Sequence, residues 1–377
     1  MLRPIIATVP AALTLALSAA ASAQTSIAVR TYPAQPLIEW DGHGQYLNFD
    51  FGFENPGDSA RVLERIELTV LDPAGRMVWQ QFVWSKGAAN PALKGVDLNL
   101  PAQGKLGLFN PFYDLPPSLP LGTLRYRFSF AMEGLDPTVV VTHEVKPIRY
   151  AYPVAMTPPV DGPALVYDGH EFYSHHRRIP LGSPAMGGLP ANPVRYANDF
   201  TPVGPRGELS RGSLADPTQW YGYGAVVRAP ADGEVVAAAS DVPDNRIERG
   251  ELKLPDGFGK LDELRQALGN HVVIKHAGGL YSTLAHLRPG TVRLAVGARV
   301  RAGQEVGQIG FSGDTGFHVH VHHMVAAEFK FITEGLPVRF DGVRRIGLPR
   351  SGTAPGPAQA GVRLDTGDLF EVVRRGR

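Results

Sequence analysis

Three histidines alternate with valines in one short segment near the C-terminus, Gly316-Phe317-His318-Val319-His320-Val321-His322. Residues two apart in a β-strand point to the same face, so this pattern predicts a strand with three imidazoles on one side. Neutral imidazole is the commonest metal ligand in proteins, and the 377 residues contain only 12 histidines. The segment therefore favours a metal-dependent enzyme over a solvated strand face that happens to be rich in histidine.

The N-terminus has the pattern of a secretory signal peptide over residues 1–23. Arg3 provides a positive charge, residues 11–21 form a short apolar run, and Ala21-Ser22-Ala23 matches a small-residue cleavage site. The sequence therefore predicts export to the periplasm or the extracellular space. No apolar stretch is long enough to predict a membrane-spanning helix. The absence of cysteine excludes disulfides and thiolate ligands.

Charge and composition narrow the possible partners and the fold class. Removing Arg3 lowers the number of basic residues from 37 to 36, which equals the 36 acidic residues. This balance argues against a nucleic-acid partner and against strong electrostatic adhesion to anionic surfaces. Abundant glycine and proline with little helical periodicity predict a mainly β chain with many turns. The oligomeric state is not predicted by the sequence.

The pattern along the chain predicts two β-rich domains. Residues 24–150 contain alternating strand patterns, such as Arg65 to Leu71, which favour an accessory β-sandwich of immunoglobulin type. The boundary lies in a proline-rich stretch, and residues 151–345 are again β-rich and contain ten of the 12 histidines. Residues 346–377 are predicted to form a flexible C-terminal segment, because residues 351–361 are rich in Pro, Gly and Ala. Residues 362–377 fit either a strand that folds back or a tail, and the sequence does not decide between them.

Further candidate metal ligands occur in three other segments of the second domain. These are Ser174-His175-His176-Arg177-Arg178, Arg195-Tyr196-Ala197-Asn198-Asp199, and Tyr281-Ser282-Thr283-Leu284-Ala285-His286-Leu287. A catalytic zinc takes three protein ligands, and two imidazoles with one carboxylate suit a hydrolytic site, where the metal activates water and polarises the scissile carbonyl. Additional histidines can transfer protons or stabilise an oxyanion.

Together these segments resemble the lysostaphin/LytM-type zinc endopeptidases, which cut peptide cross-links in bacterial cell walls. The resemblance covers roughly residues 165–340, and the His-x-His segment and the Tyr-x-x-x-Ala-His-Leu segment are its most specific parts. It implies a compact antiparallel β-sheet domain with Zn²⁺ in a groove and a peptidoglycan peptide as substrate. It also implies that Asp199 and His320 bind zinc and that His286 and His318 are catalytic.

One position departs from the family pattern. The family's first zinc histidine usually lies four residues before the aspartate, where this chain has Arg195, and a guanidinium that is always protonated cannot bind zinc. Some similar members instead place His-Arg-Arg well upstream of an Arg-Tyr/Phe-Ala-x-Asp segment, and His176-Arg177-Arg178 matches that arrangement. His176 is therefore predicted as the third ligand, with His175 as the alternative.

One alternative to a peptidase remains, and a second is excluded by the spacing of the sequence. A degenerate family member would bind the cell wall or regulate another hydrolase. Loss of the usual first histidine favours it, whereas His286 and His318 argue against it. A cupin-like metal oxidase would require a glutamate soon after His320, and Glu328 is too distant in sequence.

The surroundings of the site also give expectations. Residues i and i+4 of a strand are about 13 Å apart, so His322 is not expected to share a metal with His318. His276 and His323 are expected to be exposed. Two long segments, 177–194 and 240–268, interrupt the framework of the site and are expected to wall the groove.

Overall fold

The computed structural model describes residues 27–85, 91–132, 135–179, 191–330, 332–346 and 356–374. The predicted signal peptide lies outside these ranges. The described chain is mainly β, which confirms the predicted fold class. Within these ranges, no helix is long and apolar enough to cross a bilayer.

The part of residues 27–149 that the structure describes, called the N-terminal part here, has twelve strands in three sheets. They are β1 (Ala28–Tyr32), β2 (Leu37–Trp40), β3 (Gln45–Leu47), β4 (Asp50–Glu54), β5 (Arg61–Leu71), β6 (Met77–Trp84), β7 (Asn99–Leu100), β8 (Lys105–Phe109), β9 (Asp114–Leu115), β10 (Thr123–Met132), β11 (Leu135–Val145) and β12 (Ile148–Arg149). The sheet orders are β1-β4-β8, β11-β10-β5-β6 with β7 on β5, and β12-β2-β3-β9. Only the β12–β2 pair of these sheets is parallel.

The three sheets share one hydrophobic core built from alternating apolar side chains. Leu47, Phe49, Phe51 and Phe53 are all buried, as their alternation predicts. Phe51 packs edge-to-face against Phe128 of β10, with ring centroids 4.9 Å apart. Each such ring contributes about 1.5–3 kcal/mol when it leaves water. The finer assignment to the immunoglobulin type stays a prediction.

In the C-terminal part, defined here as residues 154–374, the described residues form 13 further strands and one α-helix. They are β13 (Pro163–Asp168), β14 (Asn198–Pro202), β15 (Val226–Arg228), β16 (Gly233–Ala239), β17 (Arg246–Glu248), β18 (Glu251–Lys253), α1 (Glu263–Leu268), β19 (Asn270–Lys275), β20 (Tyr281–Leu287), β21 (Arg299–Val300), β22 (Glu305–Gln308), β23 (Val321–Ala326), β24 (Val343–Arg345) and β25 (Leu369–Val372). Short 3-10 helices lie at Pro91–Leu93, Pro217–Gln219, Phe258–Lys260 and Ala277–Gly279.

One large antiparallel sheet organises the C-terminal part. Its nine strands follow the order β21-β16-β19-β20-β23-β14-β13-β25-β24, while β15–β22 and β17–β18 form two-stranded sheets. A second hydrophobic core, separate from that of the N-terminal part, packs on this sheet. The antiparallel arrangement agrees with the predicted architecture of the second domain.

At the end of the chain the structure forms a returning strand, which is one of the two alternatives that the sequence left open. Within the segment predicted as flexible, residues 369–372 form β25, which pairs with β13 and β24 inside the large sheet. Phe370 is fully buried and packs against Phe200 of β14, with ring centroids 5.7 Å apart. A strand of four residues is too short to show a clear alternation, so its pairing could not be recognised locally.

Candidate metal centre

The register of the large sheet brings acidic and histidine side chains into one row. Asp168 of β13 lies opposite Asp199 of β14, and Asp199 lies opposite His322 of β23. His322 in turn lies opposite Ala285 of β20, so His286 comes next to the same row. Antiparallel pairing therefore places residues together that are far apart in the sequence.

Four imidazoles surround the carboxylate of Asp199. Nδ1 of His322 donates to Oδ1 at 2.8 Å, and Nε2 of His318 donates to Oδ2 at 3.2 Å. Nε2 of His176 and Nε2 of His320 lie 3.5 Å and 3.4 Å from Oδ1. All but His318 are buried, and His318 is partly buried. The structure thus brings two predicted ligands, His176 and His320, to the carboxylate of the third, Asp199, together with the predicted catalytic His318.

Backbone carbonyls orient three of the rings. Nδ1 of His176, of His320 and of His286 each donates to a carbonyl oxygen, at 2.9, 3.1 and 2.9 Å respectively. A neutral imidazole with its proton on Nδ1 has an unprotonated Nε2, and such a hydrogen bond is the usual way in which a metal-binding histidine is held. These three rings therefore have Nε2 available for a metal or a proton.

Burial and the neighbouring groups set the protonation states. Burial alone would raise the pKa of Asp199, but the imidazoles of His320 and His176 and two hydrogen bonds hold this pKa well below its usual range. Burial lowers the pKa of His320 well below its usual value, lowers that of His176, and lowers the pKa of His286 to about 3. At neutral pH Asp199 is therefore ionised and the rings of His176, His286 and His320 are neutral, the forms that bind a divalent metal.

The separations of two imidazoles from the carboxylate of Asp199 suit zinc. Ligands at about 2.0–2.1 Å in a tetrahedral arrangement lie about 3.3 Å from one another. The 3.5 Å and 3.4 Å separations of His176 and His320 from Asp199 match this value, whereas 2.8 Å to His322 matches a direct hydrogen bond. Compact sets of donor atoms, all within 4.8 Å of one another, join His176 and Asp199 with His322, and Asp199 and His320 with His318. The particular trio of predicted ligands is not such a set, so it stays a prediction.

The expected geometry of the alternating histidines is wrong in part. β23 begins at Val321, so His322 lies in the strand while His318 lies in a bend before it. His318 and His322 nevertheless contact the two oxygens of one carboxylate, contrary to the expectation from strand spacing. The spacing argument fails because the chain does not follow a regular strand at His318.

His175 and His176 are adjacent in the sequence but differ in exposure and in the carboxylate that each one faces. The side chain of His176 is 5% exposed and faces Asp199, whereas that of His175 is 78% exposed and lies 3.9 Å from Asp168. The geometry therefore favours His176 over His175 as a neighbour of the carboxylate. The His-Arg-Arg motif as a zinc motif stays a prediction.

Two histidines expected at the surface are buried. His276 and His323 are both hydrogen-bonded to the hydroxyl of Ser282, at 2.9 Å and 3.2 Å. Both lie in the interior, at 4% and 0% exposure. The expectation was wrong because a polar side chain can be buried when a hydrogen-bond partner is present.

The backbone of His286 is strained. Its φ of 63° lies in the left-handed region, which is unfavourable for a residue with a Cβ by about 1–2 kcal/mol. The hydrogen bond to the carbonyl of Ser312 holds the ring, and Gly269 allows that carbonyl to approach, since a Cβ there would lie 2.3 Å from it. Strain of this kind is concentrated at functional sites, which supports a functional role for His286.

A cleft of about 660 Å³ opens beside the cluster. His286 and His318 line it, together with Tyr167 and Asp168, which sequence reasoning missed. Tyr167 stacks on His318 with ring centroids 4.0 Å apart, and burial raises the pKa of Asp168. Both residues end β13, and only the pairing of β13 with β14 brings them to the site. No local sequence signal could have found them.

Residues from both long segments also line the cleft. Ile179, Pro193 and Val194 come from the first segment, and Ala267 and Leu268 come from the second. Residues 180–190 lie outside the described ranges. The described ends of both segments are therefore in place to contact whatever occupies the cleft.

Comparison with known families identifies the region that carries most of these histidines. Residues 220–330 match the model of peptidase family M23. This part of the chain is a family M23 peptidase domain. The match includes His286, His318 and His320, whereas His176 and Asp199 lie upstream of it. The resemblance to lysostaphin/LytM-type peptidases is thereby confirmed at the level of the family.

Other comparisons add little to the M23 assignment. No curated protein matches the chain. Solved structures with partial similarity include the catalytic domain of the M23 protein EnpA from Enterococcus faecalis (20% identity, 42% of this chain and 83% of that chain, TM-score 0.23) and that of lysostaphin from Staphylococcus simulans (18%, 40% and 77%, TM-score 0.24). A zinc-containing peptidase from Vibrio cholerae is 12% identical over 73% of this chain and 82% of that chain, with a TM-score of 0.26.

Proposed function

We propose that the protein is an exported zinc metalloendopeptidase that hydrolyses peptide bonds in the cross-links or stem peptides of peptidoglycan. The observation that carries the proposal is the convergence of Asp199 and its surrounding imidazoles beside a cleft in a chain with an M23 domain. Peptidoglycan as substrate is supported by the resemblance to cell-wall endopeptidases. Export is supported by the signal-peptide pattern of residues 1–23.

The residues that would hold zinc are His176 and His320 through Nε2 and Asp199 through Oδ1. The hydrogen bonds from Nδ1 of both rings to backbone carbonyls fix the ring orientation, and the bond from His322 fixes the carboxylate. When bound, zinc supplies Lewis-acid activation of water and of the scissile carbonyl.

His286 and His318 carry their protons on different ring nitrogens, so one can accept a proton at Nε2 and the other can donate one from Nε2. The proton of His286 lies on Nδ1, so Nε2 is free to accept a proton from the attacking water. His318 carries a proton on Nε2, which it donates to Asp199, and it can turn this donor toward the oxyanion of the substrate. We assign His286 as general base and His318 as oxyanion donor.

Digestion of purified peptidoglycan by the zinc-loaded protein tests the proposal directly. Mass spectrometry should detect new amino and carboxyl ends within the peptides, and their release should stop with a chelator and resume when zinc is restored. Binding of zinc and of the wall without release of peptides would instead support the alternative, a degenerate family member that binds the cell wall or regulates another hydrolase.

We further propose that the two long segments limit which peptides can enter the cleft. Ala267→Phe should narrow the cleft beside Leu268, keep the zinc content, and lower kcat/KM for cross-linked peptides by at least about tenfold relative to linear ones, since small misplacements of substrate have large effects on rate. Glu263→Phe, on an exposed position of the same helix, is the matched control. Equal rates for both variants across a panel of wall peptides would reject a role in selection.

A further inference from the structure

A buried group of charges connects the N-terminal part to the segments that carry the proposed zinc ligands. Asp50 of β4 accepts from Arg177 through Oδ1 and from Arg195 through Oδ2, and Arg195 also pairs with Glu334. The side chains of Asp50, Arg177 and Arg195 are at most 5% exposed. Two cations and two anions thus balance one another; Glu334 is 24% exposed and the other three are buried. Asp50 is the member supplied by the N-terminal part.

Both arginines are close in sequence to proposed ligands. Arg177 directly follows His176, and Arg195 occupies the position four residues before Asp199. Arg177 donates a second hydrogen bond, at 2.8 Å, to a carbonyl of the N-terminal part. Asp50 therefore holds the segment of one ligand and the segment of another through its two oxygens.

The same group of charges reaches the backbone of His176 by a second route. Glu334, the partner of Arg195, accepts from the backbone N–H of Asn192 at 3.1 Å. The side chain of Asn192 donates to the carbonyl of His176 at 2.8 Å. Replacing Arg195 would therefore alter the contacts that position the backbone of His176, as well as those of its own segment.

The loop that carries His176 depends on such contacts for its position. Residues 169–179 form turns and bends without strand pairing, so no ladder of hydrogen bonds fixes this loop. Hydrogen bonds of Gly169 and Glu171 with Thr366 tie its start to the C-terminal part, and two further contacts with the N-terminal part hold it. His170 pairs with Glu39 at 3.2 Å, and Phe172 stacks on Tyr113 with ring centroids 4.1 Å apart. Metal ligands must be held to within about 0.5 Å, which an unanchored loop does not achieve.

We propose that Asp50 is a positioning residue of the metal centre and that the N-terminal part is a structural component of the zinc site. Arg195, at the position of the usual first ligand, serves here to couple Asp50 to the segment of Asp199. This inference rests on the proposed function, because it assumes that His176 and Asp199 bind zinc.

The test measures zinc affinity in the full chain by competition with a chromophoric chelator, with the metal alone as probe. Asp50→Asn should lower the affinity at least tenfold, the range typical for outer partners of metal ligands. The absorption spectrum of the Co²⁺-substituted protein should also change, because cobalt bands report ligand geometry. Asp72→Asn is the matched control. It removes another buried carboxylate of the N-terminal part, which binds Arg76 and none of the ligand segments.

A second variant covers the case in which Asp50→Asn does not fold. Asp50→Asn combined with Arg177→Gln removes one anion and one cation, so the pair of Arg195 and Glu334 stays balanced. It should fold, by circular dichroism, and still bind zinc at least tenfold more weakly. Wild-type zinc affinity and an unchanged cobalt spectrum in a folded variant would overturn the inference and leave the proposed function intact. If the wild-type protein itself binds no zinc, both are overturned.

Discussion

Replacing His176 by alanine is expected to strip the bound zinc, whereas His175→Ala leaves it largely in place. His176 is buried with Nε2 3.5 Å from the carboxylate of Asp199, while His175 points away into solvent. Removal of a direct ligand should weaken zinc binding by more than the 10–100-fold typical of outer partners, so about 100-fold or more is expected. Metal analysis of the purified variants and competitive zinc titration measure the effect.

The two variants control for each other, because they remove the same side chain from neighbouring positions. The reverse result would show that the loop turns His175 inward when zinc binds. If neither substitution matters, the third ligand lies elsewhere, and His322 is the candidate, since its donor atom lies within 4.8 Å of those of His176 and Asp199. In that case His322→Ala should strip the metal.

The sequence predicted the fold class because its signals are local. The alternation that buries Leu47, Phe49, Phe51 and Phe53 depends only on the period of a strand, and the structure buries all four. The sequence could not decide between a strand and a tail at β25, because the position of this strand depends on pairing with β13 and β24, which lie elsewhere in the chain. Periodicity identifies strands, but it does not identify which strand will be the neighbour.

At the candidate site, too, the sequence shows what depends on one residue and not what depends on a remote partner. The sequence could show that Arg195 cannot bind zinc, since this follows from the guanidinium itself. It could not show what Arg195 does instead, because its partners Asp50 and Glu334 are remote in sequence. Tyr167 and Asp168 were missed for a similar reason, since only the sheet register brings them beside Asp199.

Alanine at His286 or at His318 is expected to abolish most hydrolysis while zinc remains bound. Neither residue is a proposed ligand, yet both line the cleft. Removing a proton acceptor or an oxyanion donor typically costs about 100-fold to 10,000-fold in kcat. KM should change little, because these interactions strengthen only in the transition state. Steady-state rates on a defined wall peptide, with zinc content measured on the same samples, test this.

His271→Ala is the control that distinguishes loss of a catalytic group from loss of a buried histidine. His271 is also a buried histidine whose Nδ1 donates to a backbone carbonyl at 2.9 Å, but it does not line the cleft. Its loss should reduce stability and leave kcat near that of the wild type. Zinc loss in His286→Ala or His318→Ala would make that residue a ligand. Full activity in either variant would remove it from the mechanism, and for His286 it would leave the strained backbone at φ 63° without a catalytic reason.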